Sequence, residues 1–267
     1  DYPRRSACPA TASCPEGRAM RAVIFAAGLG SRLGGEVENM PKILLRFGDK
    51  TLLERHLSQL SAVGVGQITL GVGHGATHIE TELRRLGAAD VELVHNPDYR
   101  DGSIVTMLVL SDAMTRGGDI LLMDGDVLYD RRMLERLMTS PHSNFFLLDR
   151  EVEPGEEPMK LAIQAGRPVD FRKTLERVHD YYGESVGFYR FDEATALDLV
   201  ETARRIIADG RRGDYMEEAI RDVLLASPGE RFGFEDITGL PWIEIDFAED
   251  MARAENEILP RLIAEDR

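Results

Sequence analysis

The stretch Arg21-Ala-Val-Ile-Phe-Ala-Ala-Gly-Leu-Gly-Ser-Arg-Leu-Gly-Gly35, with Pro41-Lys42 shortly after it, decides the fold class. Its apolar first half predicts a buried parallel strand, and glycines follow that strand at once. Glycines at the end of a strand expose successive backbone N–H groups, because no Cβ blocks the approach of a phosphate chain. The stretch therefore predicts the first strand of an α/β domain, ending in a phosphate-binding loop.

The glycine spacing fits neither of two common phosphate-binding motifs. Gly28, Gly30 and Gly34 place one residue too many in the second gap of G-x-G-x-x-G. Lys42 does not follow a glycine, as a Walker loop requires. Arg32 lies inside the loop, and two fixed cations beside exposed amides suit a triphosphate. The alternative is that the glycines only form a turn.

Beyond the loop, short apolar runs alternate with helical patterns as far as residue 149. The helical patterns lie at 51–63, 77–86, 103–114 and 131–138, and the apolar runs lie at 67–72, 91–95, 119–123 and 144–148. This rhythm predicts an open parallel sheet with helices on both faces. We interpret residues 20–267 as one domain, of which 20–149 form the nucleotide-binding half.

The rhythm changes after residue 149, and the second half is interpreted as the acceptor-binding side of a shared cleft. Its predicted elements are a hairpin at 160–164 and 168–172, a strand at 185–191, helices at 194–209 and 215–225, a short strand at 242–245 and a closing helix from 248 to about 264. The acceptor-binding half, with the closing helix, spans residues 150–267.

The chain of 267 residues carries 32 Lys and Arg against 47 Asp and Glu, a formal net charge of −15. Such a surface repels phosphate polymers and anionic lipid, so nucleic-acid and membrane partners are not expected. The only cysteines are Cys8 and Cys14, which excludes a cysteine zinc site in the folded body and suits a cytoplasmic protein. Residues 1–19 are predicted to be a disordered tail, and the alternative is that Met20 is the natural start.

Two aspartates stand where open α/β sheets place their ligands. Asp126 follows the apolar run 119–123, and Asp246 follows the late strand. A carboxylate at either place can hold Mg²⁺ against a triphosphate. The alternatives are a turn aspartate at 126 and a helix N-cap at 246, with Glu249 as its capping-box partner. Asp124 is expected to point away from Asp126 and to orient the loop or a ribose hydroxyl.

The glycine loop followed by Pro41-Lys42 resembles the opening of the sugar-phosphate and phospho-alcohol nucleotidyltransferases. The chain is most similar to the bacterial cytidylyltransferases for phosphocholine, phosphonates and inositol phosphate, which have a MobA-like NTP transferase domain. The similar segments are Asn96-Pro97, Gly102-Ser103, Met123-Asp-Gly-Asp-Val127, Met159-Lys160, Gly183-Glu-Ser-Val-Gly187 and Trp242-Ile-Glu-Ile-Asp246. The resemblance implies a Rossmann-like, doubly wound mixed sheet of the nucleotide-diphospho-sugar transferase (GT-A-like) type. A small acceptor-binding portion of hairpin and helices would complete it.

The resemblance also implies roles for individual residues. Asp126 and Asp246 would hold Mg²⁺, while Arg32 and Lys42 would act on the triphosphate as catalytic residues. The nucleotide would be bound by Ala26, Ala27, Gly28, Gly30, Ser31, Gly75, Gly102, Ser103, Thr106 and Asp124. The acceptor would be contacted by Lys160, Lys173 and Glu184, although solvated surface positions are the alternative for the two lysines.

An acidic cluster with one aromatic residue, Asp214-Tyr-Met-Glu-Glu218, stands at the start of a predicted helix. Carboxylates beside a tyrosine ring suit an ammonium group through charge and cation–π contact. Tyr215, Glu217 and Glu218 are therefore candidates for binding the acceptor. The alternative is an ordinary set of charges that complement the helix dipole.

Together these patterns predict an enzyme that transfers CMP from CTP to a small phospho- or phosphono-alcohol, such as phosphocholine or aminoethylphosphonate. Pyrophosphate is released, and Mg²⁺ is the expected cofactor. The first alternative is a sugar-1-phosphate nucleotidyltransferase that uses UTP or dTTP. The second is a non-catalytic nucleotide-binding protein, against which the two carboxylates and two cations argue, since burying them without a substrate is costly.

Overall fold

A computed structural model describes residues 20–28, 30, 33, 40–151 and 158–262 of the chain. The predicted tail, and the loop residues Ser31 and Arg32, lie outside the described residues. Within the described ranges, none of the helices combines the length and the apolar character that a membrane span requires.

The first half alternates between strands and helices, as the sequence predicts. Its elements are β1 (Arg21–Ala26), a 3₁₀ turn (Lys42–Leu44), β2 (Arg46–Phe47), β3 (Lys50–Thr51), α1 (Leu52–Ala62), β4 (Gln67–Val72), α2 (Ala76–Leu86), β5 (Glu92–His95), α3 (Ser103–Val109), α4 (Ser111–Met114), β6 (Ile120–Asp124), β7 (Val127–Tyr129), α5 (Arg132–Thr139) and β8 (Phe145–Asp149). The single helix predicted at 103–114 is divided at Leu110, although helical hydrogen bonds continue on both sides of it.

The second half confirms the predicted hairpin and contains one unpredicted strand. Its elements are β9 (Lys160–Gln164), β10 (Arg167–Arg172), β11 (Tyr181–Phe191), α6 (Glu193–Ala208), α7 (Met216–Ala226), β12 (Gly233–Asp236), β13 (Trp242–Glu244) and α8 (Ala248–Arg253), followed by a π turn (Ala254–Ile258) and a 3₁₀ turn (Leu259–Arg261). The closing helix begins at the predicted residue, but only its first part is α-helical, and it continues in π and 3₁₀ geometry to Arg261. β12 lacks an apolar run and pairs at the sheet edge, so it carries no clear sequence signal.

One mixed sheet contains nine of the thirteen described strands, and β2–β3 and β7–β13 form two separate pairs. β5, β4, β1 and β6 are parallel neighbours in that order, with Val23 of β1 opposite Thr69 of β4 and Leu122 of β6. β11 joins β6 in the antiparallel direction and is followed by β8 and β12. The hairpin β9–β10 pairs with the first residues of β11. The predicted mixed α/β sheet is confirmed, and its purely parallel part is confined to the first half.

Successive residues of each strand point to opposite faces of the sheet, and in β1 both sets are apolar. Helices therefore cover both faces. Val23 and Phe25 of β1 belong to the apolar core that includes residues of α3, α6 and α7. Ala22 and Ile24 belong to the core that includes residues of α1, α2 and α5. The sheet is therefore doubly wound, and its strand ends are left open at one edge.

A bulge in β11 brings this strand against the end of β6. The pairing of β11 with β8 changes register between Ser185 and Tyr189, and Gly187 between them has a φ of +77°. A Cβ at Gly187 would overlap the Asp124 carboxylate, so both the conformation and the space require glycine. The two strands can therefore border a common cleft.

A buried ion pair fixes α7 against the hairpin. Asp170 of β10 is completely buried, and its Oδ1 accepts a hydrogen bond of 2.7 Å from Arg221 Nε on α7. Its Oδ2 accepts the backbone N–H groups of Glu176 and Arg177 at 2.8 and 3.1 Å. Burial alone would raise the pKa of Asp170, but these donors outweigh it and hold the pKa below its usual value. The middle of α7 is thereby held against β10.

Asp170→Asn should destabilise the protein, because it removes the buried carboxylate that pairs with Arg221 and leaves that guanidinium only the exposed Glu176 carboxylate. We expect the free energy of unfolding in urea to fall by about 3 kcal/mol. Glu230→Gln is the matched control, because its 3.1 Å pair with Arg167 is exposed. It should change the free energy of unfolding by less than about 0.5 kcal/mol. Equal effects of the two variants would contradict the role given to Asp170.

Candidate functional site

A cleft of about 290 Å³ lies at the carboxyl ends of β1 and β6. This is the edge at which open α/β sheets place their ligands. The glycine loop reaches the cleft through Gly28 and Gly30. The charged residues that line it are Lys42, Asp124, Asp126, Lys173, Glu217, Glu244 and Asp246. The cleft is therefore the candidate active site, and acids dominate its charge.

The pairing of β7 with β13 brings two distant parts of the chain together. Val127 lies opposite Glu244 in this antiparallel pair. The Ile245 N–H donates a hydrogen bond of 3.0 Å to the Asp126 carbonyl. Asp246 is consequently placed beside Asp126, as the sequence analysis requires for a shared metal site.

Lys42 joins these two aspartates. Its Nζ donates to Asp126 Oδ2 at 2.8 Å and to Asp246 Oδ1 at 2.7 Å. Burial would lower the pKa of a lysine, but the two carboxylates outweigh it and raise the pKa of Lys42 above its usual value. The ammonium group is therefore charged and neutralises part of the acidic cluster.

Three carboxylates form a set that suits a divalent cation. Asp126, Glu244 and Asp246 each offer one oxygen, and these oxygens lie within 4.8 Å of one another. Such hard oxygen donors are the ligands that Mg²⁺ prefers, so the residues present fit the expected metal. Glu244 is absent from the predicted ligands. It had a sequence signal, because residues two apart in a strand share a face, as Glu244 and Asp246 do.

His56 of α1 supports the turn that carries Asp126. The buried ring places Nε2 at 3.2 Å from the Gly125 carbonyl oxygen and Nδ1 at 3.3 Å from Tyr129 Oη. A carbonyl oxygen only accepts, so we assign the proton to Nε2, and Nδ1 then accepts from the tyrosine hydroxyl. Burial lowers the pKa of His56 to about 4. A neutral histidine thus fixes the backbone next to Asp126.

Two further acids of the cleft lie in surroundings that disfavour a charge. Burial, reinforced by the Glu217 carboxylate, raises the pKa of Asp124 well above its usual value. Burial likewise raises the pKa of Glu217 to about 7, although part of this side chain is open to the cleft. Among the described residues, none forms a hydrogen bond with the buried Glu217 Oε2. A buried oxygen without a hydrogen-bond partner further disfavours a charge on Glu217.

The expectation that Asp124 points away from Asp126 is wrong. Asp124 ends β6 and Asp126 lies in the turn that follows it, and both residues line the same cleft. Asp124 still lies outside the three-carboxylate set, so the structure separates it from the candidate metal ligands.

The structure brings many of the predicted residues together. The cleft is lined by Ala26, Gly28, Gly30 and Asp124 of the predicted nucleotide set, by Lys42, Asp126 and Asp246 of the catalytic set, and by Lys173, Tyr215 and Glu217 of the acceptor set. Ala27 is buried beside them. The predicted roles of Ser31 and Arg32 concern residues outside the described ranges.

Three residues predicted to bind the nucleotide, Gly102, Ser103 and Thr106, lie away from the cleft lining. A Cβ at Gly102 would overlap the Asp214 carbonyl oxygen, and Ser103 Oγ accepts the Met216 N–H at 2.8 Å, so these two residues hold the start of α7 in place. Thr106 is buried, and its hydroxyl accepts from Asn96 Nδ2 at 3.0 Å. A nucleotide contact of the three residues stays a prediction.

Gly75, Lys160 and Glu184 also lie outside the lining. Gly75 precedes α2 in a left-handed conformation with a φ of +62°. Lys160 Nζ donates to the Lys173 carbonyl at 3.0 Å, which ties the hairpin to the segment after it. Glu184 is buried in β11 between β8 and β9. Their predicted ligand contacts stay predictions.

Two neighbouring acids at the start of α7, Glu217 and Glu218, have different surroundings. Glu218 accepts hydrogen bonds of 3.0 Å from Arg172 Nε and 3.2 Å from Arg211, and it does not line the cleft. Glu217 does line the cleft. The two neighbours therefore differ in a way that helix position alone does not reveal.

The alternative interpretation of Asp246 as a helix cap is wrong. Phe247 is the N-cap residue of α8. Asp250 Oδ2 accepts the backbone N–H groups of Asp246 and Phe247 at 2.9 and 2.7 Å. Because Asp250 supplies the capping carboxylate, the Asp246 side chain is free to bind Lys42.

Comparisons with known proteins bear on this site. A profile described as the MobA-like NTP transferase domain matches residues 22–184. The chain is 28% identical over 264 residues to CMP-5'-(3-aminopropyl)phosphonate synthase of Streptomyces rubellomurinus, covering 94% of this chain and 40% of that protein. It is 28% identical over 242 residues to the bifunctional IPC transferase and DIPP synthase of Rubrobacter xylanophilus, covering 89% and 52%. The chain thus spans about half the length, or less, of these curated relatives.

The fold is also that of a solved structure. The CTP:phosphocholine cytidylyltransferase of Streptococcus pneumoniae superimposes with a TM-score of 0.71 at 22% sequence identity. The match covers 89% of this chain and 98% of that one. It confirms the predicted α/β architecture across most of the chain.

The buried neutral His56 predicts a stability that falls in acid. The unfolded ring takes up its proton near pH 6.5 and the folded one only near pH 4, so its stabilising effect is complete above pH 6.5 and is lost as the pH falls toward 4. We expect this loss to be about 3 kcal/mol by pH 4. His56→Gln should remove this loss of stability in acid, because the glutamine amide can still donate to the Gly125 carbonyl but does not titrate.

The measurement is the difference in free energy of unfolding between pH 7 and pH 4, followed in urea for the wild type and the variant. His142→Gln is the control, because His142 is exposed and should leave this difference unchanged. The same acid loss in His56→Gln and the wild type would contradict the neutral, buried ring.

Proposed function

The chain belongs to the MobA-like NTP transferase domain family, and from this premise we propose that it is a nucleotidyltransferase that uses CTP. It transfers CMP to a phosphate or phosphonate oxygen of a small acceptor and releases pyrophosphate. The observation that carries this proposal is the cleft in which Lys42 lies between Asp126 and Asp246 beside the glycine loop. The name of the phosphonate relative, which contains a CMP group, supports the choice of CTP.

The glycine loop and Lys42 supply the proposed triphosphate site. Gly28 and Gly30 allow a phosphate chain to approach the backbone closely. A Cβ at Gly30 would lie 3.5 Å from Lys42 Cγ, so the lysine side chain runs along this loop. Its ammonium group can therefore follow the charge of a triphosphate held there, and Arg32 is proposed to add a second cation.

The reaction needs no covalent intermediate on the protein. An acceptor oxygen attacks the α-phosphorus and forms the new P–O bond, while the bond from the α-phosphorus to the bridging oxygen breaks. Pyrophosphate departs with that electron pair. Lys42 offsets the charge that develops on the leaving group, and the cleft holds the two substrates in line.

The proposed metal is held by Asp126, Glu244 and Asp246, whose oxygens are close enough to share one cation. Mg²⁺ bound there would supply positive charge to the phosphate oxygens. His56 keeps the Asp126 turn in position through its bond to Gly125. The aspartate pair is the one that the sequence predicts, and Glu244 extends it.

An acceptor that carries an ammonium group suits the acidic side of the cleft. Glu217 lines the cleft together with Tyr189 and Tyr215, and its Oε2 has no hydrogen-bond partner in the part of the chain that the structure describes. An ammonium group gains from a carboxylate and from an aromatic face in such a place. Lys173, whose Nζ lies 5.0 Å from the centre of the Tyr215 ring, offers a cation for the phosphate or phosphonate end.

The proposed reaction is tested by pyrophosphate release with each of the four NTPs, together with dTTP, and a panel of acceptors that includes phosphocholine, 2-aminoethylphosphonate, inositol phosphate and sugar 1-phosphates. We expect CTP and an amine-bearing acceptor to be preferred. Asp126→Asn and Asp246→Asn should each lower kcat by about 100-fold or more, because each removes one metal carboxylate without changing shape. Asp90→Asn, at an exposed position, is the control. A preference for UTP or dTTP with a sugar 1-phosphate would replace the proposal.

The acceptor assignment is tested by two neighbouring variants. Glu217→Gln should raise the KM for phosphocholine or 2-aminoethylphosphonate by about tenfold, the loss of one charge-assisted contact, with little change in the KM for CTP. Glu218→Gln is the matched control. It is the same substitution at the adjacent residue, whose carboxylate binds Arg172 and Arg211. Equal changes in both variants would return Glu217 to the role of an ordinary helix-start charge.

A further inference from the structure

We infer that Lys42 serves as an internal counter-ion that occupies the metal carboxylates until a triphosphate draws it away. The nucleotide-free protein then binds a divalent cation weakly, and metal and nucleotide enter the site together. The inference rests on the metal site of the proposed function, but it concerns binding and is tested without turnover.

The first argument is that Lys42 uses the same carboxylates that a cation needs. Its Nζ lies 2.8 Å from Asp126 Oδ2 and 2.7 Å from Asp246 Oδ1. These two aspartates are also members of the three-carboxylate set. A divalent cation bound to the same carboxylates must either displace the ammonium group or lie next to it. Two positive charges that share these carboxylates would repel each other strongly.

The second argument concerns burial. The Lys42 side chain is only 17% exposed, and the side chains of Asp126 and Asp246 are 21% and 31% exposed. Water therefore screens this pair less than an exposed one. Removal of the ammonium group would leave two carboxylates close together with no cation between them, and that repulsion is what a bound metal would relieve.

The third argument is that the Lys42 side chain can move from the aspartates toward a nucleotide on the glycine loop. Its backbone is fixed, because the Leu45 N–H donates to the Lys42 carbonyl at 2.9 Å. The side chain is a flexible stem with a compact charge at its end. It passes Gly30, where a Cβ would lie 3.5 Å from Lys42 Cγ, so a phosphate on the glycine loop competes with the aspartates for the same ammonium group.

The experiment measures Mn²⁺ binding to the nucleotide-free protein by electron paramagnetic resonance. Lys42→Met keeps the length of the side chain and removes its charge, and we expect it to bind Mn²⁺ at least about tenfold more tightly than the wild type, a change of about 1.4 kcal/mol. Lys42→Arg keeps the charge and should bind as weakly as the wild type. Lys173→Met is the matched control, because it removes a charge from the same cleft but not from the aspartate pair.

A double variant locates the gained site. Lys42→Met combined with Asp126→Asn should lose the tighter Mn²⁺ binding. Thermal unfolding gives a second readout, because a cation that binds the folded state raises the melting temperature. Lys42→Met should melt below the wild type without metal, and Mn²⁺ should raise its melting temperature by more than it raises that of the wild type. Lys42→Gln repeats both measurements if the methionine variant does not fold.

Equal Mn²⁺ affinities of the wild type and the folded neutral variant would overturn the inference. It would also be overturned if Lys173→Met tightened binding as much, or if the double variant kept the gain. These outcomes are independent of the pyrophosphate assay. A protein that transfers no nucleotide can still show the exchange of Lys42 for a cation, and an active enzyme can fail to show it.

Discussion

Carboxylates that share one cleft repel one another, and the arrangement of this site follows from how that repulsion is balanced. Asp126 and Asp246 are held together by the Lys42 ammonium group. Asp124 and Glu217 are balanced differently, since burial raises the pKa of each and favours the protonated form. Each of these two pairs of acids would therefore be stabilised by a bound cation. In the proposed function, a metal takes the first place and the ammonium end of an acceptor takes the second.

Much of this arrangement follows from local patterns in the sequence. The strand at Gln67–Val72 is predicted to the residue, because its apolar run is bounded by a glycine pair and a following helix pattern. The positions of Asp126 and Asp246 after apolar runs place them at the carboxyl edge of the sheet, and Lys42 follows the glycine loop. Local rules place these residues at that edge, but the resemblance to the nucleotidyltransferases is needed to single out Asp126 and Asp246 as a metal pair.

Other parts depend on contacts between distant elements. Glu217 and Glu218 look alike in the sequence. Their roles differ because Arg172 and Arg211, which come from other segments, bind Glu218. Ser103 is the first residue of α3, a place where a ligand residue could stand, yet its hydroxyl accepts a backbone N–H at the start of α7. No periodicity within either segment contains this information, so the sequence could not supply it.

The pairing of β7 with β13 also has a consequence for synthesis of the chain. A polypeptide that leaves the ribosome presents the strand end with Asp126 long before residues 242–246 emerge. The parallel sheet up to β6 uses only earlier residues, so it has all its strands while the second aspartate is still being made. A nascent chain therefore has every strand of the parallel part before it has the paired carboxylates. The candidate cleft is completed only when residues 242–246, near the end of the described sequence, have been made.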